Sequence, residues 1–112
     1  MAFIKKKLAV YPWPVKVSKP SDEKIGEFES ITFTVKFIRL KTSELEKFEE
    51  EVLDPVQTLK KVVAGWIDYT DEDGKDIPFS EKELLEISED PDMVKGITDG
   101  YRDFYSNLQV KN

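Results

Sequence analysis

Apolar and polar residues alternate in two places in the first third of the chain. Trp13, Val15 and Val17 are separated by Pro14 and Lys16, the period of two that marks a half-buried strand. Pro12 and Pro14 share one parity, so both missing N–H donors lie on one side, which suits a sheet edge. Pro20-Ser21-Asp22-Glu23-Lys24-Ile25-Gly26 carries the chemistry of a turn. Ile31, Phe33, Val35 and Phe37 then form a second strand, with Thr32, Thr34 and Lys36 on its other face. Ile38 and Leu40 break the alternation, so the second face is expected to be covered at that end. The spacing predicts antiparallel strands over about 12–18 and 30–39.

Beyond residue 42 the period lengthens. Leu45, Phe48 and Val52 keep helical spacing, and Ser43 with Glu46 matches a capping box. Asp54-Pro55 restarts a helix with an acceptor at the cap and a proline at the first position. Val56, Leu59, Val62 and Val63 supply its apolar face, and Gly65 fits as its C-terminal residue. Two apolar runs, from Trp66 and to Phe79, flank Asp71-Glu72-Asp73-Gly74-Lys75, where Asp-Gly signals a hairpin. Ser80 and Glu83 form a second capping box, with Phe79 and Leu84 placed as a hydrophobic staple. Asp90-Pro91 repeats the cap-proline device. Val94, Ile97, Tyr101, Phe104 and Leu108 follow as a narrow apolar seam. The prediction is an α+β fold in one domain. Two N-terminal strands and a short hairpin (66–79) pack with four helices over about 43–53, 55–65, 80–89 and 91–109. Residues 1–10 are expected to form a flexible tail.

Composition narrows the chemistry. The chain has 112 residues with no cysteine and no histidine, which removes disulfides, thiolate and imidazole metal sites, and the usual nucleophile–base relays. The net charge is −6. Residues 1–53 carry 10 basic and 9 acidic side chains, whereas residues 54–112 carry 7 and 14. Only Lys5-Lys6-Lys7 resembles a basic stripe, too little for a nucleic-acid surface. Leu8-Ala9-Val10 is too short for a signal core, and no run approaches a membrane span. A soluble, cytoplasmic, non-enzymatic binding protein is expected, with no cofactor.

Each candidate site has a plainer reading. Aligning Gly74 with the sixth position of a calcium loop puts Tyr69 and Ser80 where acidic ligands are required, so a solvated turn is favoured and no metal site is assigned. The carboxylates offer chance pairs but none marked as a catalytic pair. The glycines match no phosphate-loop spacing. Gly96 and Gly100 lie on one helix face, either as close packing against the hairpin or as a groove for a partner. Trp66 and Tyr101 occupy core-like positions, and Tyr105 lies beside the seam. The residues nominated for partner contact are Tyr69, Gly96, Gly100, Tyr101 and Tyr105. Truncating Tyr105 is expected to weaken binding more than stability, and truncating Trp66 or Phe104 the reverse.

Several of these stretches are familiar as a unit. Val62-Val63-Ala64-Gly65-Trp66, the Asp71–Gly74 turn, Ile77-Pro78-Phe79-Ser80, Asp90-Pro91 and Gly100-Tyr101 follow in order after Trp13-Pro14-Val15 and Phe37-Ile38-Arg39-Leu40. The chain resembles the tail assembly chaperones of tailed bacteriophages and prophages over residues 12–108. It departs from them at Gly100, where the family usually carries alanine, and at Ser88-Glu89, where the family is richer in leucine. The resemblance implies a non-catalytic protein of the host cytoplasm that binds the long helical tape measure protein, and tail tube subunits, during tail assembly. The client surface could also hold a second copy of the chain. The rival reading is a small acidic inhibitor that mimics nucleic acid and binds a basic protein.

Overall fold

The computed structural model describes residues 10–50 and 54–110, and their side chains over 10–47 and 54–106. Residues 1–9 of the expected tail, with Lys5-Lys6-Lys7, together with Val52 and the side chains of Phe48 and Leu108, lie outside that range, and Val10, the last residue of that tail, belongs to a strand. Strand β1 (Val10–Pro20) pairs antiparallel with β2 (Phe28–Ile38) in a single register, from Val10 opposite Ile38 to Pro20 opposite Phe28. The odd-numbered residues of both strands share one face. Val15, Val17, Phe33, Val35 and Phe37 are buried on it. Ile31 shares that face but stays half exposed. The opposite face carries Lys16, Ser18, Ser30, Thr32, Thr34 and Lys36 and meets solvent, as the alternation requires. β1 is an edge strand. Its prolines cannot donate to an added strand, so they protect the edge from pairing with another chain.

A third strand completes the sheet where the sequence pattern points to a helix end. Helix α2 (Pro55–Val62) stops before Val63, and β3 (Val63–Ile67) pairs antiparallel with β2. Trp66 lies opposite Val35, Gly65 opposite Lys36 and Val63 opposite Phe37, with an irregularity between Lys36 and Phe37. Gly65 is therefore a strand residue, not a helix cap. Val62 and Val63 fit a helix face and a strand equally well, because so short an apolar run does not separate the two periods. The helix start is as expected: the Asp54 carboxylate accepts from the Gln57 N–H at 2.9 Å, with Pro55 at the first position.

Giving Trp66 and Ile67 to the sheet shortens the hairpin. The Thr70–Asp76 bridge and the Ile77 N–H to Tyr69 carbonyl bond remain. The turn itself keeps its expected chemistry, with Gly74 at φ 80° and the Asp71 carboxylate accepting from the N–H groups of Asp73 and Lys75. That carboxylate is committed to its own loop. The Trp66 indole N–H donates to the Ile77 carbonyl at 2.7 Å and ties the returning limb to the sheet.

Both expected capping boxes differ in detail. Helix α1 (Thr42–Glu50) begins one or two residues early: the Lys41 carbonyl accepts from Leu45, and Glu44 accepts from the Lys41 N–H. Helix α3 (Glu81–Ser88) is capped by Ser80, whose hydroxyl accepts from the Glu83 N–H at 3.1 Å. The Glu83 carboxylate accepts from the Tyr69 hydroxyl at 2.8 Å. A tertiary donor has taken the role of the local one.

Helix α4 (Pro91–Val110) lies on the buried face of the sheet, against β1. Met93, Ile97, Tyr101 and Phe104 are buried along it, and Val94 is only half buried. Phe104 packs edge-on to Trp13, with centroids 5.6 Å apart, and beside Phe37 at 5.7 Å. Gly96 and Gly100 face β1 and not the hairpin. A Cβ at Gly96 would lie 2.8 Å from the Lys16 carbonyl oxygen and 2.8 Å from the Val17 side chain. A Cβ at Gly100 would meet only side chains, the nearest being Val15 at 2.9 Å.

Gly96→Ala has to push backbone away from backbone. It is expected to cost about 1–2 kcal/mol net, after the gain in helix propensity of ~1 kcal/mol. Gly100→Ala can be relieved by a side-chain shift and is expected to stay within about 1 kcal/mol of wild type. Urea midpoints of the two variants check the order. Equal values would show that helix–strand contact at Gly96 is not limiting.

Candidate functional site

The residues nominated from sequence do not gather in one place. Gly96 and Tyr101 are buried under β1 and the end of β2, and Gly100, half buried, faces Val15. Tyr101 is buried, stacks edge-on to Phe37 at 5.2 Å and donates its hydroxyl to the Ile38 carbonyl at 3.0 Å. Tyr105 is half buried. Its ring lies 5.3 Å from that of Tyr101, and its hydroxyl donates to the Leu40 carbonyl. Burial raises the proton affinity of both phenols. Tyr105 thus holds the segment leaving β2, which makes it a fold residue as much as a surface one.

Tyr69 occupies a different setting. It lies between two hollows and lines both. The first, about 250 Å³, sits under the far end of the β1–β2 hairpin. Val17, Ile31, Phe33 and Met93 give it an apolar lining. The second, about 280 Å³, is lined by Trp66, Ile67, Ile77 and Phe79. Ile31 is 51% exposed and Phe79 42%, so each hollow presents a large apolar side chain to solvent. Tyr69 packs against Phe33 on one side (5.5 Å) and edge-on to Trp66 on the other (5.0 Å). Burial, then the hydrogen bond to Glu83 and the surrounding carboxylates, push its phenol well above the usual value. The hydroxyl stays a donor, and the ring is fixed as a wall between the hollows.

The rim is mostly acidic. Asp68 lines both hollows, Asp76 the second, and Asp90 the first together with Lys19. Lys19 and Asp90 form an ion pair, so that cation is engaged. Asp90 also caps α4, accepting from the N–H groups of Asp92 (3.0 Å) and Met93 (3.4 Å). Burial alone raises its carboxyl; the Lys19 hydrogen bond and the Met93 and Asp92 N–H groups outweigh that and hold it below the ordinary value. Asp68 is exposed, and no described residue pairs with it. It is also the one described non-glycine residue at positive φ, at 61°. Among the described residues, no three carboxylates gather to hold a metal ion, and no helix is long and apolar enough to cross a membrane.

Sequence reasoning found Tyr69 but missed Ile31, Asp68, Phe79 and Met93 as site residues. Alternation puts Ile31 on the buried face, where it does lie, but nothing local shows that this end of the face is left open. Phe79 reads as a staple to Leu84, and its ring contact in the fold is instead edge-on to Trp66, with centroids 4.9 Å apart. Comparison of the chain with models of known families, with curated proteins and with solved structures finds no match.

Two outcomes follow. Asp90→Asn keeps an acceptor at the cap but loses the ion pair, a difference of ~1 kcal/mol or less near neutral pH. Because the folded carboxyl is held below its usual value, its stabilisation is present above about pH 4 and is lost as pH falls through the folded value. Wild type should therefore lose its advantage over Asp90→Asn progressively as pH falls below about 4. Melting curves across that range check the sign. Tyr105→Ala is expected to cost about 1–3 kcal/mol of stability from lost packing and the lost hydroxyl contact to the Leu40 carbonyl. An unchanged melting temperature would return Tyr105 to a purely surface role.

Proposed function

We propose that the chain is a non-catalytic tail assembly chaperone of the tailed-phage kind, binding the tape measure protein, and tail tube subunits, in the host cytoplasm. The observation that carries this reading is the Gly65–Ser80 segment. The residues most specific to the resemblance form one packed unit there: Trp66 at the end of β3, the Asp71–Gly74 turn, and Phe79-Ser80 opening α3. That unit exposes apolar side chains beside an acidic rim, which is what a protein needs to hold the apolar face of a long helical client in a charged complex. The departure at Gly100 has a steric counterpart in this chain, since Val15 occupies the space an alanine Cβ would need.

The mimic reading finds less support. A nucleic-acid mimic needs an array of free carboxylates. Here Asp54 and Asp71 serve backbone N–H groups, Glu83 serves Tyr69, and Asp90 and Asp99 are paired with Lys19 and Lys95.

Co-expression with any long helical protein found encoded by a neighbouring gene, followed by affinity purification, tests the proposal. The expected result is a soluble complex and a client that precipitates when expressed alone. A client equally soluble alone, with no co-purification, would remove the reading. Displacement of a basic DNA-binding protein from DNA would favour the mimic.

A further inference from the structure

We propose that the two hollows flanking Asp68 form one docking surface for a basic amphipathic helical segment of a partner protein. The proposal rests on the chaperone reading for the helical nature of the partner. Its other elements come from the surface. Asp68 and Tyr69 line both hollows, so the hollows adjoin. Each, at about 250 and 280 Å³, is below the usual range of a small-molecule pocket (about 300–1,000 Å³) yet has room for a large apolar side chain. Two such anchors on one helix face, with a third residue between them, match the arrangement.

Charge selects the residue between. Three aspartates and one lysine line the pair of hollows, and the lysine is taken by Asp90. Asp68 stands on the ridge, exposed, with no described partner. A lysine or arginine set between two apolar anchors would meet it, and an acidic segment would be repelled. The Pro12 and Pro14 positions disfavour strand addition at β1, so an extended partner has no pairing edge there. The left-handed backbone at Asp68 turns the chain immediately after β3, which sets the carboxylate on the ridge. Asparagine tolerates the same conformation, so Asp68→Asn removes the charge and keeps the turn.

The test uses the full chain and two labelled synthetic peptides. Both are helical, with leucines one turn apart; one carries lysines between them and the other glutamates. Fluorescence anisotropy should show binding of the lysine peptide only, weakened by raising salt from roughly 50 to 300 mM. Asp68→Asn should weaken it about threefold and Ile31→Ser about fivefold, with melting temperatures close to wild type. Equal binding of the glutamate peptide would overturn the proposal, as would unchanged affinity in both variants. The two readings separate by co-purification with the long helical client. If both variants retain the client as wild type does, the docking surface falls and the chaperone reading stands. If wild type binds the lysine peptide but no such client, the surface stands and the chaperone reading falls.

Discussion

Helix α4 touches β1 backbone to backbone, and most of the molecule is arranged around that contact. A two-stranded hairpin is marginal by itself, so β1 and β2 need a cover. Glycine at 96 lets α4 come within reach of the Lys16 carbonyl, closer than any side chain allows. The close approach closes the space over Val15, Val17 and Phe37, which are all buried. Both glycines weaken the helix as a helix. What they permit is burial of the strand face, which stabilises this sheet by more than the lost propensity costs.

The ends of α4 are fastened by polar contacts. At the start, Asp90 caps the helix and pairs with Lys19 of β1. Further along, Tyr101 and Tyr105 donate to the carbonyls of Ile38 and Leu40, where the chain leaves β2. The aromatic cluster of Trp13, Phe37, Tyr101 and Phe104 fills the space between. Four nominated residues, Gly96, Gly100, Tyr101 and Tyr105, thus contribute to the scaffold, and the open surface lies beside the start of the helix, at Asp90 and Met93.

Tyr69 links scaffold and surface. Its ring is held by Phe33 and Trp66, and its hydroxyl is held by Glu83, which sequence assigns to the Ser80 cap. One hydrogen bond thereby joins the turn after β3 to the first turn of α3. Rigid walls suit a binding surface, because less order remains to be imposed when a partner arrives. The acidic second half of the chain gives that surface its sign, and only some of its carboxylates remain free to act on a partner.

Features whose partners lie within a few residues were legible from the chain. The alternation of β1 and β2, the edge prolines, the Asp54, Ser80 and Asp90 caps and the Asp71–Gly74 turn all follow from short-range geometry. The absence of histidine and cysteine limited the chemistry without any structure. Other features depend on residues far apart in sequence. Val63–Ile67 becomes a strand because β2 offers it a ladder, and the same valines suit a helix equally well. Gly96 and Gly100 could have lined a groove, and their use depends on β1, at the other end of the chain. Lys19 meets Asp90 across 71 positions, and Tyr105 meets Leu40 across 65. Local torsional and hydrogen-bonding preferences act within a turn or two of chain. Which apolar side chains stay exposed, and which carboxylate stays unpaired, is set by the packing of distant elements.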